Sequence, residues 1–329
     1  MKFFIILLVI GIQRYLNIRF SLSDMDWFKP YRAMVEKTLG KATVKGYVGL
    51  AIIVLPIALL VWLLNMLLGG NLLLGFIIGA IVLFYTLDAR DLSNQIPTYL
   101  GREKKEKGKS ADEELKEFLQ DMMPTSAKSS ASAAAATSAS ATKSSAAAAA
   151  TAPTAPTPTK SSATSTFPAT PSGKARAVSS KILLWSQHHV FSILFWYLFF
   201  GVFGAVVYFL VHRLSHEAMH NSSDVADYAD ASQVVQGIMA WVPVRLAGLS
   251  YGAVGAFGTV INQWTRNIAG GLDLEQKLPV IFGLSAVNAD IENPEKATVE
   301  ENKSILDVIF KAEIVWIAVS ALFALIALI

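Results

Sequence analysis

Three histidines are spaced four residues apart in the segment HRLSHEAMH, directly after an apolar run. On a continuous helix His212, His216 and His220 would lie along one face, beside Glu217. Zinc sites use such spacings, but a zinc centre needs ligands that converge on one point, and three rings spread over two turns rarely reach one ion. We therefore expect no metal site and interpret the segment as an interfacial helix end. If the chain did hold a metal, these histidines would be the candidate ligands.

A single arginine lies inside a mostly apolar stretch, residues 237–261, which also contains Pro243. A cation within an apolar helix is costly, so Arg245 is expected either to pair or to face a polar cavity. The alternative is an arginine close to the membrane interface whose side chain extends to the headgroups. The residue pattern alone leaves these alternatives open.

Other patterns that carry chemistry are missing from the sequence. The absence of cysteine excludes disulfides, thiolate metal sites and cysteine catalysis. Lys41 and Lys174 each follow a glycine, but neither completes the GxxxxGK[ST] phosphate-binding loop. His188 and His189 precede an apolar run, where polar aromatic residues commonly rest at the headgroup level, and we assign them no role. No nucleophile, base and orienting acid occur in a recognisable pattern, so no enzymatic activity or cofactor can be named.

The elements that must position these residues are apolar helices. Hydrophobic residues make up 53% of the 329 residues, although a long polar insert dilutes them. The uncharged runs are residues 1–12, 47–68, 72–87, 190–211 and 314–329, and residues 237–261 are ambiguous. A transmembrane helix needs roughly 20 apolar residues. We predict an all-α, polytopic membrane protein with three to five crossings, a short N-terminal helix and a helical hairpin at 47–87.

The chain divides into two membrane parts around an insert. Residues 1–109 form the N-terminal membrane part and residues 181–329 the C-terminal one. Between them, residues 110–123 predict a short amphipathic helix. Residues 124–180 are almost entirely Ala, Ser, Thr, Pro and Lys, which predicts a disordered linker. We expect the lipid bilayer to be the main partner and expect no nucleic-acid binding, because the linker almost lacks aromatic residues.

The distribution of basic residues predicts the orientation. Residues 13–46 contain seven Lys/Arg against three acids, and residues 88–189 contain thirteen against nine, whereas residues 212–236 contain one Arg against four acids. Since basic loops tend to stay in the cytoplasm, the insert is predicted to be cytoplasmic. On this interpretation, residues 190–211 cross to the opposite face. Gly201 and Gly204 within them would let a neighbouring helix approach closely.

Residues 241–255 (WVPVRLAGLSYGAVG) resemble the signature of the AmpE family of inner-membrane proteins, which belong with the cobalamin-biosynthesis proteins CobD and CbiB. Residues 183–213 are similar to a second AmpE stretch, and the short N-terminal helix ending near Arg14 followed by a hairpin also fits that family. The linker at 124–180 is not part of the family pattern. The place of Arg245 in the shared motif implies that it lines a polar pocket between helices. Trp241 and Pro243 would then form the kinked entrance of this pocket, and Arg14 is a further candidate residue.

The resemblance implies a regulatory or signalling protein of the bacterial inner membrane, linked to peptidoglycan recycling and β-lactamase induction. A cell-wall-recycling or signalling protein is then the expected partner, and a small ligand the expected occupant of the pocket. The alternative is a ligase of the CobD/CbiB type. Against it, Trp185 to His188 stand where an acid pair is expected, and His212 to Ser215 stand where an Asn-Thr-Leu-Asp stretch is expected. A third interpretation is a scaffold whose linker recruits a soluble partner.

Overall fold

The computed structural model describes residues 1–16, 28–40, 45–68, 71–89, 170–220 and 228–326. Within these ranges the chain is helical and has no β-strand, which confirms the predicted all-α class. The helices are α1 (Lys2–Leu16), α2 (Phe28–Leu39), α3 (Gly46–Leu68), α4 (Leu72–Thr86), α5 (Pro171–Ser186), α6 (Ser192–His220), α7 (Ala229–Val254), α8 (Phe257–Asn267), α9 (Leu278–Ala286) and α10 (Val299–Ile326). The amphipathic helix predicted at 110–123, and the insert up to residue 169, lie outside the described residues.

Four helical stretches are long and apolar enough to cross a membrane: Gly46–Leu68, Pro171–His216, Ala229–Val254 and Val299–Ile326. Large apolar side chains are exposed on these and neighbouring helices, among them Leu60, Leu67, Leu73 and Leu325. Contiguous apolar surface of this kind is stable against lipid tails and unfavourable in water. The chain is therefore a membrane protein with several transmembrane helices.

The stretch from Pro171 to His216 folds back on itself at Gly201. Gly201 has φ 63° and ψ −147°, a conformation that glycine adopts more readily than other residues. On one straight helix His188 and His212 would be about 36 Å apart, at a rise of 1.5 Å per residue. Their ring centroids are instead 4.7 Å apart, and His188 Nδ1 lies 2.9 Å from the hydroxyl of Tyr208. Residues 187–200, the first arm, and 202–216, the second arm, form an antiparallel hairpin.

The reversal corrects the orientation predicted for residues 190–211. They are not a single crossing, because the second arm returns to the level at which the first begins. Residues 188 and 212 therefore lie at the same level of the helical bundle, so residues 190–211 do not carry the chain from one face to the other. The predicted close approach at Gly204 takes place between the two arms, since a Cβ there would lie 2.5 Å from the carbonyl oxygen of Trp196.

Helix α5 begins inside the segment predicted to be a disordered linker, so the predicted boundary at residue 180 is wrong. Thr170 caps the helix, with its side chain accepting a hydrogen bond from the N–H of Gly173, and Pro171 occupies the first turn. Ala175 and Val178 are buried. The composition of this segment, which is rich in Ala and Ser, gives no sign that Ala175 and Val178 face a core. Packing against α9 and α10 stabilises the helix.

Two further boundaries differ from the uncharged runs. The ambiguous stretch 237–261 divides at Gly255 into α7, a candidate transmembrane helix, and the shorter α8. Helix α10 begins at Val299, fifteen residues before the predicted terminal run 314–329, because its polar first half packs against α5. Residues 327–329 lie outside the described part of the chain.

The N-terminal helices α1, α3 and α4 pack against the hairpin that reverses at Gly201. Helix α1 packs against α4 and α10, and α3 packs against α6 and α7 as well as against α4. The Gln13 amide fastens the end of α4, because its Nε2 donates to the carbonyls of Phe84 at 2.8 Å and Leu87 at 2.6 Å, and its Oε1 accepts from Ala89 N at 2.9 Å. The two predicted membrane parts thus share one core.

Candidate functional site at the base of the helical hairpin

A cluster of polar side chains, most of them buried, lies where the first arm of the hairpin begins and the second arm ends. We call this cluster the hairpin base, and it consists of His188, His189, Tyr208, His212 and Gln236. The His188 and His212 rings are stacked at an interplanar angle of 17°, and the His189 ring meets His212 edge-on at 5.1 Å. His188 and His212 are 2% and 4% exposed. Uncompensated polar groups at such depth would be unfavourable, so their bonding decides what the cluster can do.

Each ring of the stacked pair has one directional partner at Nδ1. His188 Nδ1 lies 2.9 Å from the Tyr208 hydroxyl, and Gln236 Nε2 of α7 lies 3.0 Å from His212 Nδ1. Since the amide N–H₂ of Gln236 can only donate, His212 Nδ1 accepts, and its ring proton belongs on Nε2. The hairpin base therefore joins both arms and α7 through the imidazole rings of His188 and His212.

A π-helical turn places the first two histidines. Residues Gln187–Phe191 form a π segment, in which the N–H of Ser192 donates to the carbonyl of Gln187, five residues earlier. The wider turn breaks the register of the first arm at the histidines. It also leaves the His189 carbonyl to accept from Asp88 N at 3.2 Å. Single π turns are rare and occur often at functional sites.

Further polar atoms surround the hairpin base. Gln187 Nε2 donates to Ser192 Oγ at 3.1 Å, whereas Gln187 Oε1 has no hydrogen-bond partner among the described residues. The Ser215 hydroxyl is buried and likewise unsatisfied within the described part of the chain. Below the π turn, the Ser186 and Tyr251 hydroxyls are 3.3 Å apart. Buried polar atoms without partners are uncommon and mark a place where a proton, water or ligand can be accommodated.

Arg245, the predicted pocket residue, forms a buried ion pair. Its Nη1 lies 2.7 Å from Glu275 Oε1, with side-chain exposures of 5% and 3%. The guanidinium also donates to three backbone carbonyls, those of Trp241, Ile268 and Gly270, at 2.8, 2.9 and 3.3 Å. It therefore fastens the segment after α8 onto α7. Burial raises the pKa of Glu275, while the hydrogen bond and charge of Arg245 oppose that shift.

Trp241 and Pro243 have separate roles beside this ion pair. The guanidinium carbon of Arg245 lies 4.0 Å from the Trp241 ring centroid, a cation–π contact. Pro243 lies within the continuous helix α7. Because proline has no N–H, it leaves the Met239 carbonyl without its helical donor. The indole N–H of Trp196 in the first arm donates to that carbonyl at 3.1 Å. Pro243 thus provides an acceptor that holds the hairpin on α7.

Arg14, the fourth predicted site residue, pairs with Glu313 of α10. Arg14 Nη1 lies 2.6 Å from Glu313 Oε2, and the guanidinium carbon lies 4.1 Å from the Phe310 ring centroid. The Glu313 side chain is 7% exposed, and Arg14 is partly exposed. Arg14 is therefore not next to Arg245. It lies at a second ion pair, which joins the end of α1 to α10.

The histidine stripe predicted from spacing is divided in the structure. His212 is turned into the hairpin base, and its ring centroid lies 6.2 Å from that of His216. The side chain of His220 lies outside the described residues. Among the described side chains, no group of three or more histidines and carboxylates is placed to hold a metal ion.

Sequence reasoning missed His188, Tyr208, Gln236 and Glu275. The signal for His188 was its placement relative to Gly201, since His188 and His212 stand 13 and 11 residues from that glycine. Polar residues at nearly equal distances on either side of a glycine in an apolar run fit a hairpin as well as a straight helix. Glu275 carries no such signal, because its link to Arg245 depends on how the segment after α8 folds.

Comparison with family models, curated proteins and solved structures finds no match to this chain.

Proposed function

We propose that this chain is a regulatory protein of the bacterial inner membrane, similar to the AmpE proteins. It modulates the response to cell-wall damage and the induction of β-lactamase. Its expected partner is a cell-wall-recycling or signalling protein, reached through segments on the cytoplasmic side that include the insert. The residues that resemble the AmpE signature, 241–255, form the second half of α7. Support for a regulatory role comes from the position of that helix in the bundle.

The observation that carries the proposal is that α7 is bonded to three separate polar sites. Gln236 contacts the hairpin base, Arg245 holds the segment after α8, and Ser250 accepts a hydrogen bond from the Trp316 indole of α10 at 3.3 Å. Directional bonds on both halves of one helix couple its position to several neighbours. A helix bonded at three sites can transmit a displacement from one site to the others, which is what a signalling protein requires.

A small ligand near Arg245 belongs to the same proposal. Glu275 Oε2 is buried and has no hydrogen-bond partner among the described residues, while Trp241 is 38% exposed at the edge of the ion pair. A ligand with an N–H or O–H group could satisfy that oxygen. Arg245 itself is already occupied by carbonyls and Glu275, so its contribution is to hold the site in shape.

The test is a deletion strain that is complemented with the full chain and assayed for β-lactamase induction by a β-lactam. We expect deletion to change induction and the wild-type chain to restore it. Arg245→Lys should restore it only in part, because lysine cannot reproduce the planar set of hydrogen bonds. Arg266→Lys, at an exposed position in the last turn of α8, is the matched control and should restore it fully. Membrane levels of each variant are measured alongside.

Two results would overturn the proposal. One is normal induction in the deletion strain. The other is accumulation of cobinamide in that strain, which would identify a ligase of the CobD type instead.

A further inference from the structure

The hairpin base contains a stacked imidazole pair, and stacking constrains the charge that the pair can hold. Ring centroids 4.7 Å apart leave no room for water between His188 and His212. Two imidazolium rings at that separation would repel strongly in apolar surroundings. The stacked arrangement is consequently incompatible with a proton on each ring, so the pair can hold at most one added proton.

The atom that would gain the proton on His212 is already used as an acceptor. Neutral His212 accepts from Gln236 at Nδ1 and carries its hydrogen on Nε2. Protonation places a second hydrogen on Nδ1, so that two donors face each other. The contact must then break, or the amide must turn over to present its oxygen. Either outcome changes how α7 is held against the second arm.

Few other charges face the pair in the described part of the chain. On the hairpin these are His189, Arg213 and His216, and α5 contributes Lys181, two turns before His188. Helix α4 is followed by Asp88, whose backbone N–H bonds to His189. The neutral groups are Tyr208 and Gln236, with Tyr251 of α7 below them and Gln13 of α1 at the end of α4. Glu313 of α10 is already paired with Arg14.

We propose that the His188–His212 pair is a proton-binding site that couples the hairpin to α7. Uptake of one proton by His212 breaks its contact with Gln236, and loss of the proton restores that contact. Gln187 Oε1 and the Ser215 hydroxyl have no partner among the described residues; they belong to the residue before His188 and the third residue after His212, and they can accept from a water molecule that enters when the contact breaks. This inference goes beyond the proposed function and does not depend on it.

The test uses the full chain in lipid vesicles, with no native cysteine to interfere. Ala240 lies one turn beyond Gln236 on α7 and is 1% exposed. The modification rate of Ala240→Cys by a methanethiosulfonate is divided by that of Lys303→Cys, an exposed position on α10 measured in parallel. This ratio removes the intrinsic pH dependence of the thiol. We expect the ratio to rise about tenfold as the pH is lowered from 8 to 4, a range that extends below the ordinary titration of histidine.

Variants in the same background assign that response. His212→Gln keeps a side chain that can bond to Gln236 but cannot titrate, so the ratio should stay flat. His216→Gln, which leaves the stacked pair intact, should keep the rise. A flat ratio in the chain with all its histidines, or an equal rise in His212→Gln, overturns the proposal.

A second measurement applies if His212→Gln does not fold. In the otherwise unaltered chain with ¹⁵N only in its five histidines, the rings of His188 and His212 should change together in one step between pH 8 and pH 4. No change in either ring over that range overturns the proposal, whatever the result of the β-lactamase assay.

Discussion

Replacing Arg245 with methionine removes the cation of a buried ion pair and keeps much of the apolar volume of the side chain. In the wild-type chain the guanidinium is bonded to Glu275 and to three carbonyls, and it lies over the Trp241 ring. In the variant the carboxylate of Glu275 stays buried without its counter-ion. We expect the free energy of unfolding to fall.

The size of the effect follows from the geometry. At the 2.7 Å separation of Nη1 and Oε1, an effective dielectric constant of 20 gives an attraction of about 6 kcal/mol. Desolvation of two ions costs several kcal/mol each, so the intact pair adds little net stability. Removing one partner abolishes the attraction but leaves the desolvation cost of the other, which amounts to about 3–5 kcal/mol. The double variant Arg245→Met/Glu275→Met should recover about half of that loss or more.

The loss should also depend on pH. Burial raises the pKa of Glu275, and Arg245 works against that shift. Without Arg245 the pKa of Glu275 in the folded protein rises further above its value in the unfolded chain. A group whose pKa is raised on folding favours the folded state at low pH, and this contribution is lost as the pH rises through the folded value. Arg245→Met should therefore be less destabilised at pH 5 than at pH 8.

The assay is reversible unfolding in mixed micelles with increasing sodium dodecyl sulfate, followed by far-ultraviolet circular dichroism at both pH values. Arg266→Met is the control, because Arg266 is exposed at the end of α8. The reasoning would be refuted by a loss below about 1 kcal/mol for Arg245→Met, by an equal loss at both pH values, or by an equal loss in the control.

Two further predictions concern the packing and the loop beside α9. Gly283→Val should lower the free energy of unfolding by about 1–3 kcal/mol, because any Cβ at that position collides with the Leu183 side chain. The control is Gly258→Val, since a Cβ at Gly258 has no neighbour within 4 Å. Similar losses of stability in the two variants, measured in the same assay, would contradict this prediction. Hydrogen bonds from Lys296 and Asn293 lower the pKa of Asp290 to about 2. Stabilisation of that turn should therefore persist below pH 3.8 and disappear as the pH falls through about 2. A carboxyl ¹³C titration with a midpoint near 4 would contradict that prediction.

The membrane helices could be predicted where apolar runs are unbroken. The run at residues 47–68 matches α3 to within one residue, because nothing in it competes with a helix and lipid excludes any other backbone arrangement. The same argument predicted residues 190–211 as one helix. It failed there because Gly201 is equally compatible with a close helix contact and with a reversal. The residues of the run alone do not specify which of the two occurs.

The structure places the predicted site residues at two separate ion pairs rather than around one pocket. Arg245 and Trp241 do share one polar cluster, whereas Arg14 belongs to another on α10. The partner of Arg245 is Glu275, 30 residues further along the chain, in a segment whose fold no local pattern specifies. The AmpE resemblance stays a prediction, and it is the α7 contacts, not the motif itself, that argue for a regulatory role.

The reversal at Gly201 is the feature on which the histidine pair, the orientation and the coupling to α7 all depend. It can be tested by cross-linking between introduced cysteines, because the chain has no native cysteine. His188→Cys/His212→Cys is treated with a short bifunctional thiol reagent in membranes, and the linked peptides are identified by mass spectrometry. The control is Glu300→Cys/Ala324→Cys, with the same separation of 24 residues on the uninterrupted helix α10.

The hairpin predicts an intramolecular cross-link in the histidine-position pair and none in the control, whose positions are about 36 Å apart on a straight helix. If both cysteines of the 188/212 pair react with single-ended reagents but never become linked to each other, the two arms are not antiparallel neighbours and the account is wrong.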